Sequence, residues 1–428
     1  MELRVRRGSE RTKPLGDNGF PASNPRPLSL RRKRARGVSR SRFVRGRAIL
    51  VCVGAFWGAF WIRPVAAPGV DHITVRRDGK QTEVEGKTLV EAQDGGLMVL
   101  ARDSSIWLVQ PRELAARQRD DVPYRPYTSD ELAGRLLAEL PAGFDVYRTA
   151  HYLICHNTAR GYAQWCGSLF ERLYMAFTNY WSRKGFAVTE PDHPLVAIVF
   201  SRRADYLQYA KAEVGSAVDT ILAYYSLKTN RMVMYDLTGI AGLGNPSRTV
   251  STGAQINRIL SQPGAAHTVA TIVHEATHQI AFNCGLHTRF SDCPTWFSEG
   301  IATYFETPDL SSSRGWRNIG GINIPRLRQF ADYLRRRPAN SLVVLLTKDD
   351  RLRDPNSAED AYAEAWALTY FLIRQHPQQY IAYLRILSAK QPLHWDDDKT
   401  RLADFQQAFG EDLSALDREF VRYMGRLW

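Results

Sequence analysis

His274-Glu275-Ala276-Thr277-His278 sets two imidazoles four residues apart with a carboxylate between them. On a helix of 3.6 residues per turn, positions i and i+4 share a face, so both rings can reach one cation while Glu275 stands beside its open position. Catalytic zinc usually takes three protein ligands and keeps a fourth position for water. Glu299, within Trp296-Phe297-Ser298-Glu299-Gly300-Ile301-Ala302-Thr303-Tyr304, is the expected third ligand. The stretch between His278 and Glu299 is long enough for one helix to end, a loop to turn, and a second helix to run back across the metal. A closed structural zinc site favours four ligands with several cysteines and has no use for an unliganded glutamate, so Glu275 argues for catalysis. In that role it takes a proton from the attacking water and passes it to the leaving amine, while the metal polarises the carbonyl. The chemistry is amide hydrolysis.

A five-residue pattern arises by chance often enough that its surroundings must support it. Val269, Ile272, Val273, Ala276 and Ile280 recur at helical spacing, which predicts a largely buried helix, and Gly285 is its expected stop. Gly300 costs a helix about 1 kcal/mol relative to alanine, a penalty that makes sense where another backbone approaches closely.

The segments His274 to His278 and Trp296-Phe-Ser-Glu-Gly-Ile-Ala-Thr-Tyr-Phe-Glu306 resemble the gluzincin metallopeptidases, especially the membrane-alanyl-type aminopeptidases. More broadly, they resemble an uncharacterised bacterial family of exported gluzincin-like proteins. The resemblance implies His274, His278 and Glu299 as zinc ligands and Glu275 as general base. It also implies an α+β fold, with a mixed sheet and active-site helix above a mainly helical lower half. Tyr362-Ala-Glu-Ala-Trp-Ala-Leu-Thr-Tyr-Phe-Leu372 is similar to the segment that carries those enzymes' transition-state tyrosine. By that likeness Tyr362 donates a hydrogen bond to the developing oxyanion, with Tyr370 as the alternative. The aminopeptidases also carry an upstream glycine-methionine-glutamate-asparagine motif that holds the substrate's free amine. It has no counterpart here, which argues against strict aminopeptidase activity. The alternating stretch Arg231 to Leu237 is read either as an edge strand that pairs with extended substrate or as an ordinary sheet strand. Gly239, Gly242 and Gly244 punctuate a loop through Gly264, a candidate mobile flap. Thr303, one turn after Glu299, is the expected partner to orient an imidazole. Trp296, Trp366 and His267 have no assigned role, and the tryptophans are expected in the core.

The net charge of +13 is localised. Residues 1–47 hold 15 of the 57 basic residues and 3 of the 44 acidic ones, which leaves 42 basic against 41 acidic residues in the remainder. That segment has the composition of a disordered tail, and no nucleic-acid module accompanies it. It leads into the uncharged run Ala48 to Ile62, preceded by Arg42, Arg45 and Arg47 and followed by Ala66 and Ala67. This is the layout of a signal peptide over residues 48–67, or of an uncleaved anchor over 48–62. Either reading exports the catalytic part to the periplasm or the cell exterior, with membrane contact if the segment is retained. The length of chain before the apolar run also suggests a translation start near Val44. Outside the apolar run there are four cysteines, and Cys155 with Cys166 and Cys284 with Cys293 are the candidate disulfides of an oxidising compartment. Four buried thiols are the competing reading.

Residues 70–110 read as a small β-meander with turns at Asp78-Gly79 and Asp94-Gly95-Gly96, and 111–127 as a linker. Residues 128–428 read as the zinc domain. In it, strands are expected at Tyr152 to Cys155 and Leu195 to Phe200, and helices at 163–183, 203–212, 327–337, 358–375, 378–390 and 401–427. The expected function is an exported zinc peptidase acting on peptides or proteins. The alternative is a non-catalytic binding or assembly protein on a metal-stabilised scaffold, and cell-wall peptide cross-links are a further class of amide the same chemistry would serve.

Overall fold

The computed structural model describes residues 69–215, 221–239, 252–307 and 319–427. The basic segment, the apolar run with its export reading, and residues 240–251 of the glycine-punctuated loop lie outside them. Strands β1 (Gly69–Arg77), β2 (Lys80–Glu91), β3 (Leu97–Ala101), β4 (Ile106–Val109) and β5 (Leu114–Pro123) form an antiparallel sheet in the order β4-β3-β2-β1-β5. Asp78 and Gly79 both take positive φ in the two-residue β1–β2 turn, the conformation that matches the twist of a hairpin. Residues 111–127 are therefore not a linker, because β5 pairs with β1 from Gly69↔Pro123 to Val75↔Leu114. Most of the strand's side chains are exposed, so its sequence looks like a polar connector. The sheet has its own core of Ile73, Val75, Val84, Val99 and Val109, while Met98, Leu100 and Ile106 pack with Tyr124 and Phe290.

The second sheet follows α1 (Ser129–Glu139) and contains β6 (Asp145–Arg148), β7 (Tyr152–His156), β8 (Leu195–Phe200), β9 (Ala223–Tyr225) and β10 (Arg231–Tyr235). Helices α2 (Arg160–Arg183) and α3 (Arg203–Val214) connect its parallel members. The order is β6-β7-β8-β10-β9, mixed, with β7-β8 and β8-β10 parallel. Every side chain of β7, β8 and β10 is buried, as expected for strands covered on both faces. The edge-strand reading of Arg231 to Leu237 is thereby corrected: β10 lies between two neighbours, and the short β9 is the edge.

The remainder is helical: α4 (Gly253–Leu260), α5 (Ala266–Asn283), α6 (Thr295–Phe305), α7 (Ile324–Leu334), α8 (Ser341–Thr347), α9 (Asp350–Arg353), α10 (Ala358–Gln375), α11 (Pro377–Ser388), α12 (Asp398–Phe409) and α13 (Leu413–Met424). The expected helix 401–427 is in fact two, parted at Gly410, whose φ of 90° a side chain would resist. The architecture is mixed α+β, an antiparallel sheet, a mixed sheet and a helical half, as the sequence implied. Its core runs continuously from the second sheet into the helices through α2, where Trp181 stacks on Tyr380 and packs against Phe305. Trp296 and Trp366 are fully buried in this core.

No disulfide joins the four described cysteines, which corrects the pairings expected from their spacing. Cys155 lies among Arg231, Glu139 and Arg148, whereas Cys166 lies beside Tyr162 and Asp236. Cys284 meets Tyr174, and the Cys293 Sγ lies 3.6 Å from His287 Nδ1. Proximity in sequence gave neither pair a shared environment. Burial pushes the Cys155 and Cys284 thiols up to about 12, so they are protonated, unreactive apolar groups.

Candidate metal centre

Helix α5 carries its apolar residues inward and is fixed to the second sheet by one side chain. The buried Gln279 amide donates to the carbonyls of Val196 and Asn230, both at 2.9 Å, so the helix is tied to β8 and to the turn before β10. It ends where predicted, with Gly285 at a φ of 81°. The chain turns through residues 286–294 and α6 returns against α5. On these two helices, ligand atoms of His274, His278 and Glu299 lie within 4.8 Å of one another. His274 Nε2 is 3.0 Å from Glu299 Oε2, His278 Nε2 is 3.4 Å from Glu299 Oε1, and the two Nε2 atoms are 3.1 Å apart.

The other nitrogen of His274 decides what this cluster offers. His274 Nδ1 lies 2.8 Å from Glu306 Oε1, so the ring gives its proton to that carboxylate and turns the Nε2 lone pair toward the cluster. Glu306 sits at the end of α6, two turns beyond Glu299, and is itself held: the Asn323 amide donates to its Oε2 at 3.0 Å. Asn323 also caps α7, accepting from the Arg326 N–H. Two imidazole lone pairs and a carboxylate facing each other repel unless a cation lies among them. Without such a cation the carboxylates draw a proton to the histidine instead. Burial opposes a charge on His274, but Glu299 and Glu306 outweigh it and hold the ring well above the usual histidine range. Burial likewise opposes ionisation of Glu299, and His278 and His274 hold it well below the usual carboxylate range. The donor set fits a divalent cation such as zinc: two imidazole nitrogens, one carboxylate, and side chains that keep 12–15% of their surface open.

Glu275 does not join the triad. Its Oε2 accepts the backbone N–H of Tyr225, at the end of edge strand β9, at 2.9 Å. Burial raises its pKa, against the two histidines, so the carboxylate is readily protonated. Tyr362, from α10, also stands near the centre: burial and the nearby Glu299 and Glu275 push its hydroxyl up. Tyr370 does not, since it packs among Tyr304, Trp366 and Tyr423.

Thr303 is corrected. Its hydroxyl donates to the carbonyls of Glu299 at 2.7 Å and Gly300 at 3.1 Å, within its own helix, and orients no imidazole. Glu306 fills that role. The sequence carried the signal, because seven residues are two helical turns and place Glu306 on the face of Glu299. Gly300 meets its expectation of close approach: a Cβ there would lie 2.0 Å from Thr369 Oγ1 and 3.0 Å from the Ala365 carbonyl oxygen of α10. His267 is exposed.

No curated protein shows a significant match to the chain. A family model described as "Protein of unknown function (DUF1570)" matches residues 268–394, a span that contains the triad, Glu275, Glu306, Arg326 and Tyr362.

Proposed function

We propose that the chain is a zinc-dependent peptidase of gluzincin type that acts outside the cytoplasm, the latter resting on the N-terminal layout of basic segment and apolar run. The observation that carries the reading is the position of Glu275 beside, and not within, the triad of His274, His278 and Glu299. A bound zinc would supply Lewis acidity toward a substrate carbonyl and acidify a water. The protein's own groups do the rest. With Oε2 held by the Tyr225 N–H, Glu275 keeps Oε1 without a hydrogen-bond partner among the described residues, ready to take the water's proton. Its raised pKa suits a group that must hold that proton before giving it to the leaving amine. The Tyr362 hydroxyl, kept protonated by its surroundings, is a hydrogen-bond donor for the oxyanion.

The test is Glu275→Gln. It is expected to retain one metal per chain and to lose cleavage of a peptide library by about 10²- to 10⁴-fold. Unchanged cleavage would show the general-base assignment to be wrong. If the metal-loaded wild type cleaves nothing while chelation lowers its melting temperature, the non-catalytic scaffold is the better reading.

A further inference from the structure

Arg326 stands beside this centre in a long ion pair with Glu306, and among the described residues its guanidinium makes no hydrogen bond. It lies in the first turn of α7, and its side chain retains 26% of its surface. The guanidinium lies over the Tyr362 ring, 5.5 Å from its centroid. Among the described residues its N–H groups make no hydrogen bond, although an arginine carries five such donors in a planar fork. The nearest carboxylate is Glu306 at 3.6 Å, beyond hydrogen-bonding distance. Glu306 already accepts at both oxygens, from His274 Nδ1 at Oε1 and from the Asn323 amide at Oε2.

A half-buried guanidinium over an aromatic ring, with no hydrogen bond to a described residue, matches one chemistry best. Two parallel N–H groups meet the two oxygens of a carboxylate, and the charge-assisted pair strengthens as water is excluded. Its place over Tyr362 and its ion pair with Glu306 restrain the guanidinium before any ligand arrives, which lowers the entropy lost on binding. The same contact places the guanidinium beside Tyr362, which itself stands near Glu299 and Glu275.

We propose that Arg326 is a specificity-determining residue that pairs with a substrate carboxylate next to the scissile amide. The inference rests on the peptidase reading and deepens it to a substrate class: peptides with a negative charge at that place. A carboxylate there has two sources, a free C-terminus or an acidic side chain.

Matched peptides separate the sources. One pair ends in a free carboxylate or an amide, and the other carries Glu or Gln next to the scissile bond. Binding is read first, by fluorescence anisotropy on zinc-loaded Glu275→Gln protein, which removes turnover from the measurement. The carboxylate member of at least one pair is expected to bind about ten- to a hundredfold more tightly than its neutral match, the range of a charge-assisted hydrogen bond. In the Glu275→Gln/Arg326→Gln protein that ratio should fall toward one, with zinc content per chain unchanged. Preference for the free C-terminus alone identifies an exopeptidase-type anchor, and preference for Glu over Gln identifies a side-chain subsite.

Equal binding of both members of both pairs overturns the inference. So does a double variant that loses zinc and weakens all four peptides alike, which would make Arg326 a support for Glu306. Cleavage by the wild type distinguishes the two readings: turnover without carboxylate preference sinks this inference and leaves the peptidase standing. Carboxylate-selective binding without turnover of any peptide sinks the peptidase and leaves the anion site.

Discussion

His274 depends on a residue outside the five-residue pattern that first marks it. Glu306 fixes its tautomer through the 2.8 Å contact to Nδ1, and Asn323 fixes Glu306. Removing such a partner typically weakens metal binding by about ten- to a hundredfold, and that loss is expected of Glu306→Gln in competition with a calibrated chelator. Affinity equal to wild type would mean that Glu306 does not orient the ligand. Thr303→Val is the contrasting substitution, with an expected effect on zinc affinity within about threefold, because only a hydroxyl turned toward its own helix backbone is lost. At this scale the triad and Glu275 were legible because their spacing on a helix is dictated by geometry. The choice between Thr303 and Glu306 was not. Both lie on the ligand face of α6, and a threonine hydroxyl satisfies itself on the carbonyl four residues back, a competition that spacing does not reveal.

The approach of α6 to α10 sets where Glu299 and Tyr362 stand relative to each other. It is permitted by the absence of a side chain at Gly300, since a Cβ would collide with Thr369 Oγ1. Gly300→Ala gains helix propensity of about 1 kcal/mol, yet overpacking at a close contact costs roughly 1–3 kcal/mol. The net expectation is a lower melting temperature together with reduced zinc occupancy, with Thr369→Ala restoring part of both. A more stable, fully zinc-loaded Gly300→Ala protein would show that the contact yields without consequence. Helices and strands with strong periodicity were legible: β8 and α10 have the bounds their apolar patterns gave. Strand β5 was not, because most of its side chains face solvent and its identity as a strand lies in its pairing with β1. The edge position of β9 was hidden for a similar reason. Strand order is a long-range property, and the short run Ala223–Tyr225 carries no local mark of an edge.

At the scale of the whole fold, the N-terminal sheet is tied to the turn before β10 and to the loop that joins α5 and α6. Asn230 donates to Ser104 Oγ at 2.7 Å, Arg289 to the Ser104 carbonyl at 2.8 Å, and Phe290 packs on the Met98, Leu100 and Ile106 patch. Tyr124 reaches His193 Nε2 at 3.0 Å, a further link between this sheet and the segment that enters β8. Burial lowers the His193 pKa to about 4 from an ordinary 6.5. The unfolded chain therefore takes up the proton first. This contribution to stability is complete above pH 6.5 and is lost as the pH falls toward 4. His287, lowered by burial to about 3, acts in the same sense. Thermal melts are expected to drop between pH 7 and 4, and His193→Asn should flatten that slope by about one proton; an unaltered slope in the variant would contradict the assignment. Chelation at neutral pH should lower the melting temperature as well, since a ligand held only by the folded state stabilises it. The sequence by itself determined the chemistry on offer: two imidazoles and the carboxylates of Glu275 and Glu299, placed by helical periodicity, which is a local property of the chain. It also determined the α+β class and the close approach at Gly300. Only the tertiary structure decided which strands are the edges, that the four thiols stay apart, that Tyr362 and not Tyr370 stands at the triad, and that Glu306 and Arg326 lie beside it. Those outcomes depend on distances between elements far apart in the chain, and packing sets such distances where residue spacing cannot.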